Sequence, residues 1–319
     1  MRSRWRWISV GVVVVAAVTV AIVLLMRDSA DGPYALVAWD YGAIAWVEPW
    51  PADLAGRASE AASLFEGVFE LWGFELPAIV EERRVARKGD PAGGAAVDLR
   101  AMHWEGAILA PLVLVVFPDA EALEAATGSL ADPVTIIYGV PPQPGMLDED
   151  PTPIRAAEWL EDLTGASIAF ACSAERWQER FVEATSKWML ERALEVPEIC
   201  DCTPYRLPGL VGTGIGAYSA SQLLGGVDRI AAAKDYAAVH GLPTVADTDP
   251  LVFDVDAEMR LALGASFIAY LVEEHGTDGL VEAICDWHSG GTRGYCMRSA
   301  SRTLVYLKGW RVFLGLEEQ

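Results

Sequence analysis

The chain has 319 residues, 52% of them hydrophobic, and a mean hydropathy of +0.25. That is ample material for one large core or two modest ones, and it excludes a disordered chain. Twelve tryptophans agree, because leaving most of them at the surface would expose large apolar patches.

The N-terminus is read first. Arg2, Arg4 and Arg6 precede "WISVGVVVVAAVTVAIVLLM", twenty uncharged residues from Trp7 to Met26. At the helical rise this run is about 30 Å long, one hydrocarbon core, and predicts a transmembrane helix over 7–26. The arginines of residues 1–6 outnumber the single Arg27 beyond the run, so the positive-inside rule places the N-terminus in the cytoplasm. Everything that follows is then expected on the periplasmic or extracellular side. A cleaved signal peptide is the alternative, but its apolar region is normally about 7–15 residues and ends in small residues, whereas this one ends in Leu25 and Met26.

Charge separates this anchor from the remainder. Beyond residue 27 there are 20 basic and 45 acidic side chains, a formal −25. Nucleic acid and anionic lipid surfaces are therefore excluded as expected partners. A solvated acidic surface is the plain reading, and a face for cations or basic peptides is the sharper one.

The next elements form an expected α/β subdomain over 27–150. "ALVAWDYGAIAWVEPW" predicts one or two short strands. An amphipathic helix follows, with Leu64, Phe65, Val68, Phe69 and Trp72 at helical spacing. "AIVEERRV" predicts a strand, and "APLVLVVFPD" predicts a buried strand around Val113 to Phe117. The helix "AEALEAATG" and the strand "VTIIYGV" complete an αβ unit near residue 140. The proline-rich stretch Pro141 to Pro153 marks a loop or boundary, and residues 151–319 are expected to be mainly helical.

All five cysteines, Cys172, Cys200, Cys202, Cys285 and Cys296, fall on the translocated side, where disulfides persist. Cys285 and Cys296 bracket the glycine-rich "DWHSGGTRGY" and are the favoured candidate bridge; Cys172 with Cys200 or Cys202 is a second. A metal site from Cys285, His288 and Cys296 with Cys200 and Cys202 has none of the common zinc-module spacings, and the compartment favours disulfides.

The second half carries the question of chemistry. A helical pattern from Ala174 runs through "AERWQERFVEATSKWMLERA". It is followed by "LPGLVGTGIGAYSAS" from Leu207, by "RLALGASFIAYLVEEHGTDGLVEAI" and by "LKGWRVFLG". This order resembles the gluzincin-type metallopeptidases called peptidase MA-like. In that family a helix with H-E-x-x-H precedes L-P-x-W-L-x-E-G-x-A-x-Y, a helix like G-x-S-F-x-x-Y-L, and a late tryptophan. Leu207, Pro208, Gly214 and Tyr218 fit the second element; Gly264, Ser266, Phe267, Tyr270, Leu271 and Gly276 fit the third.

The resemblance implies zinc held by two histidines on one helical face and a glutamate from the next element, with a second glutamate as general base. This chain departs from that pattern at each position. The first histidine falls at Ala184, the base at Thr185, the second histidine at Trp188 and the third ligand at Thr213. No histidine occurs between His103 and His240, so no shift of register restores the pair. Tyr218, a transition-state stabiliser by family analogy, is expected to pack instead. Glu183 and Lys187, four apart, are expected to form a surface pair. Asp256 is expected to cap the helix beginning at Ala257, and Gly276 to end it.

Other chemistries fit less well. The glycines at 209, 212, 214 and 216 could suggest a phosphate cradle, but no G-K-S/T is present. The segment before them also lacks the strand that a dinucleotide fold requires. No G-x-S-x-G elbow occurs. The sequence thus predicts an α+β chain: a small strand-containing N-terminal half, a mainly helical metallopeptidase-like C-terminal half, and one N-terminal transmembrane helix. Its expected role is binding a peptide or envelope protein at the relict cleft, without a metal or other cofactor. An active envelope hydrolase working through a different site is the alternative.

Overall fold

A computed structural model describes residues 34–49, 51–85, 97–104, 107–109, 111–127, 135–137, 167–172, 174–195, 209–242, 255–288 and 300–316. The expected membrane span at 7–26, the boundary at 141–153, and Cys200, Cys202, Leu207, Pro208 and Cys296 lie outside those residues. Among the described residues no helix is long and apolar enough to cross a membrane.

Strands β1 (Tyr34–Trp39) and β2 (Gly42–Val47) form an antiparallel hairpin with Trp39 opposite Gly42, so the turn is the two residues Asp40 and Tyr41. Helix α1 (Leu54–Leu71) follows. Its start is capped by the Asp53 carboxylate, which accepts a hydrogen bond from the Gly56 N–H at 2.9 Å. The expected apolar stripe is present, with Phe65, Val68, Phe69 and Trp72 buried. Strands β3 (Ala78–Val85), β4 (Val97–Trp104) and β5 (Ala107–Leu109) make an antiparallel sheet of their own.

Strand β6 (Leu112–Phe117) is buried at every residue, as its uninterrupted apolar run predicts for a strand covered on both faces. It pairs in parallel with β2. Helix α2 (Ala120–Thr127) and strand β7 (Thr135–Ile137) come next. The sheet is completed by β8 (Ser167–Cys172), parallel to β6 and antiparallel to β7, giving the order β1-β2-β6-β8-β7. Strand β8 lies in the half expected to be mainly helical. Its six residues "SIAFAC" are too short for periodicity to separate a strand from a helix, and pairing with β6 decides it.

From there the chain is helical. A short turn at Ala174–Arg176 leads into α3 (Trp177–Glu195), followed by α4 (Gly209–Leu224), α5 (Arg229–His240), α6 (Ala257–His288) and α7 (Ala300–Phe313). Asp256 caps α6 as expected, accepting from the Met259 N–H at 2.8 Å. At Gly276 the backbone leaves helical values, with φ at 75° and ψ at 170°, so α6 consists of two helical stretches meeting at the expected stop.

Helix α3 joins sheet and helices. Trp177 packs edge-on against Trp46 of β2, Phe181 against Trp39 of β1, and Trp188 lies 6.0 Å from Phe65 of α1. One continuous core therefore runs from the hairpin, α1, β6 and Ala169 of β8 through α3, α4 and α6 to Leu307 and Trp310 of α7. The chain is a mixed α+β protein with helices predominating.

Candidate functional site

The four segments of the metallopeptidase resemblance come together through small residues. A Cβ added to Gly214 would lie 2.6 Å from the carbonyl carbon of Gly264 and nearer still to its oxygen; one added to Gly264 would lie 2.8 Å from the Gly214 Cα. The α4 and α6 backbones are therefore in direct contact at this crossing. Next to it, a Cβ on Gly216 would lie 2.8 Å from the Cα of Glu183, so α4 also rests against α3. The glycines that could suggest a phosphate cradle lie inside a helix. Two of them, Gly214 and Gly216, serve its close approach to its neighbours.

The third and fourth segments are linked as well. The Trp310 indole N–H donates to the Ser266 hydroxyl at 3.1 Å, and Trp310 packs edge-on against Phe267 at 5.3 Å. At the other end of α4, the Trp72 indole donates to Ser219 at 2.9 Å, and the Trp72 ring lies 5.6 Å from Tyr218.

Three of the four positions expected for metal and base are closed. Ala184, Thr185 and Trp188 are all fully buried. Thr213 and Tyr218 are half-buried, and burial pushes the Tyr218 phenol above its ordinary value. The Thr185 hydroxyl, the neighbouring Ser186 hydroxyl and the Trp188 indole N–H have no hydrogen-bond partner among the described residues. The residues at the expected ligand positions, Ala184, Trp188 and Thr213, do not fit zinc, because they offer no imidazole or carboxylate, and Thr185 at the base position offers no carboxylate either. Among the described residues no group of three or more histidines, cysteines, aspartates or glutamates is placed to hold a metal ion.

One residue before Ala184, the arrangement departs from expectation. Glu183 is not on the surface; it is 4% exposed, and its Oε2 accepts a hydrogen bond from Arg180 Nη1 at 2.6 Å. Its Oε1 lies 3.6 Å from Arg229 Nη2, on α5. Arg229, 6% exposed, also donates to the Ala217 carbonyl of α4 at 3.0 Å and to the Glu179 carboxylate. Arg176 in turn donates to Glu179 at 2.6 and 2.8 Å and to Glu258 of α6 at 2.7 Å. This ionic cluster ties α3 to α4, α5 and α6. The apolar faces of these helices are legible in the sequence, but this cluster is not among its expectations. Its signal was a charged pair at i and i+3 inside the apolar run "RFVEA", where surface charges do not belong.

The cluster shifts its carboxyls in opposite directions. Burial pushes the Glu183 carboxyl above the usual range, and Arg180 and Arg229 only partly offset it. Burial acts on Glu179 in the same sense, but the hydrogen bond from Arg176 and the charges of Arg229, Arg176 and Arg180 outweigh it and hold Glu179 below the usual range. Among the described contacts three arginines meet three glutamates, and the cluster works as an interhelical tie.

His240 and His275 make contacts elsewhere. His240 is exposed and stacks on Tyr236 at 4.6 Å, and His275 lies beside Tyr306 at 5.9 Å. Cys285 lies in α6, but Cys296 is outside the described residues, so their pairing stays a sequence expectation. No protein-family model matches the chain, and no curated protein is significantly similar to it.

Proposed function

We propose that this is a membrane-anchored, catalytically inactive metallopeptidase-like protein, held by residues 7–26 with its N-terminus in the cytoplasm. Its translocated domain serves as a binding or structural component of the cell envelope, with a peptide or another envelope protein as partner. The observation that carries the reading is the combination at α3 and α4. The motif glycines and the Trp310–Ser266 bond support a metallopeptidase-like arrangement of helices, while Ala184, Thr185 and Trp188 are sealed inside the core. Losing all the ligands together is physically coherent, since a half-built site would leave buried imidazoles or carboxylates without partners.

The test is metal content and hydrolysis. The full chain, exposed to zinc and then dialysed, is expected to retain far less than one equivalent and to leave casein intact. About one tightly held zinc per chain, lost on substituting a candidate ligand, would overturn the reading.

A further inference from the structure

Helix α5 is attached to the molecule differently from its neighbours. Helix α4 buries Leu210, Val211 and Ile215, and α6 buries Leu263, Phe267, Ile268 and Leu271. The buried side chains of α5 are two alanines, Ala233 and Ala237, together with Arg229. Ile230, Ala232 and Tyr236 are only half-buried. Hydrophobic stabilisation scales with the apolar area removed from water, so the apolar face of α5 holds it far more weakly than the leucines and phenylalanine hold α6.

What the apolar face lacks, one side chain supplies. The buried Arg229 donates to the Ala217 carbonyl of α4 and to the Glu179 carboxylate of α3, and it stands 3.6 Å from Glu183 Oε1. All three partners lie outside α5, so this guanidinium pins the helix to two others. A second contact, the Lys234 ammonium 4.9 Å from the centre of the Phe313 ring, belongs to an exposed residue and is worth little there. Glycines flank the helix on both sides. Gly225 and Gly226 precede it with φ at 69° and 105°, and Gly241 follows it with φ at 73°. No atom lies within 4 Å of a Cβ added at any of the three, so rotation there meets no packed neighbour. Leu223 before the first pair and Leu242 after Gly241 pack against the core. Each glycine pivot therefore stands between α5 and a docked residue.

We propose that α5 is a hinged lid over the Tyr218 side of α4, pivoting at Gly225, Gly226 and Gly241 and held shut by Arg229. The lid closes a cavity of about 170 Å³, with Val227 to Ile230 as one wall and Tyr218, Gln222 and Ala265 as the other. Opening removes the first wall and exposes the half-buried Tyr218, while α3, α4 and α6 stay packed at Gly214, Gly216 and Gly264. A unit with few buried apolar contacts separates at a lower free energy than the core it rests on. The lid adds to the binding reading above an element that controls access to Tyr218, and it stands without that reading.

The test is native-state hydrogen exchange of the full chain in phosphatidylcholine nanodiscs, read helix by helix along a urea series. Corrected for intrinsic rates, the amides of residues 233–240 are expected to exchange at least about tenfold faster than the core amides of α4 and α6. Their urea dependence should be weak, because the lid exposes little surface on opening. Arg229→Met should speed α5 exchange by about tenfold or more, since a carbonyl and two carboxylates lose their cation, whereas Lys234→Ala should change it by about fivefold at most. Gly214→Ala perturbs a crossing that stays closed when the lid opens, so it should speed exchange in α4 and α6 and leave α5 unchanged. A single opening shared by the three helices in the parent overturns the lid, whatever the variants do. Exchange in α5 that is indifferent to Arg229→Met, or that Gly214→Ala speeds as much as exchange in α4 and α6, overturns it as well. Stoichiometric zinc in the metal assay would instead sink the inactive-peptidase reading and leave the lid standing.

Discussion

Two glycine-to-alanine substitutions in helix interiors should act in opposite directions, and the contrast isolates the α4–α6 crossing. In an exposed helix, alanine is favoured over glycine by about 0.5–1 kcal/mol. Gly67, in α1, has room: an added Cβ would meet Leu223 Cδ2 at 3.5 Å, an ordinary contact. Gly67→Ala should therefore gain about that amount. At Gly214 the added Cβ would be 2.6 Å from the Gly264 carbonyl carbon, so restoring a contact of about 3.5 Å asks the two helices to separate by about 1 Å. The obstacle is backbone, which cannot rotate away as a side chain would. Overpacking of this kind costs about 1–3 kcal/mol, so after the propensity gain Gly214→Ala should lose about 1–2 kcal/mol. Urea unfolding followed by circular dichroism reads both, and at about 2–4 °C per kcal/mol the melting temperatures should move apart. A Gly214→Ala protein as stable as Gly67→Ala would refute the direct backbone contact.

The ionic cluster gives a signed pH dependence. Glu183 binds its proton more tightly folded than unfolded, where the ordinary value is 4.5, so its contribution falls as pH rises above about 4.5 through the folded value. Glu179 is depressed, so its contribution is present above 4.5 and is lost as pH falls through the folded value. Urea midpoints measured across this range should show Glu183→Gln gaining on the parent as pH rises and Glu179→Gln converging with it in acid; reversed slopes would refute the assignment. Thr185→Val removes a buried hydroxyl that has no partner among the described residues and keeps its shape, so it should stabilise the chain by about 1 kcal/mol. A loss of stability on that substitution would mean the hydroxyl is bonded after all.

Much of the fold follows from local pattern. The β-branched, all-apolar "LVLVVF", bounded by Pro111 and Pro118, reads as a covered strand, the spacing of Phe65, Val68, Phe69 and Trp72 as one face of a helix, and Asp256 and Gly276 mark the limits of a helical stretch as their chemistry requires. β4 was also within reach, because "VDLRAMHW" begins with strict alternation of apolar and charged residues.

The sequence by itself determined the α+β class, the apolar faces and the absence of histidine and glutamate from the expected zinc positions, because these depend on residue identity and short-range spacing. Only tertiary structure decided where β8 pairs, that Gly214 and Gly216 serve helix crossings, and that Glu183 is buried between Arg180 and Arg229. Those outcomes depend on partners far along the chain. A glycine shows its purpose only when the backbone opposite is in place, and a carboxylate is buried or exposed according to which helix covers it.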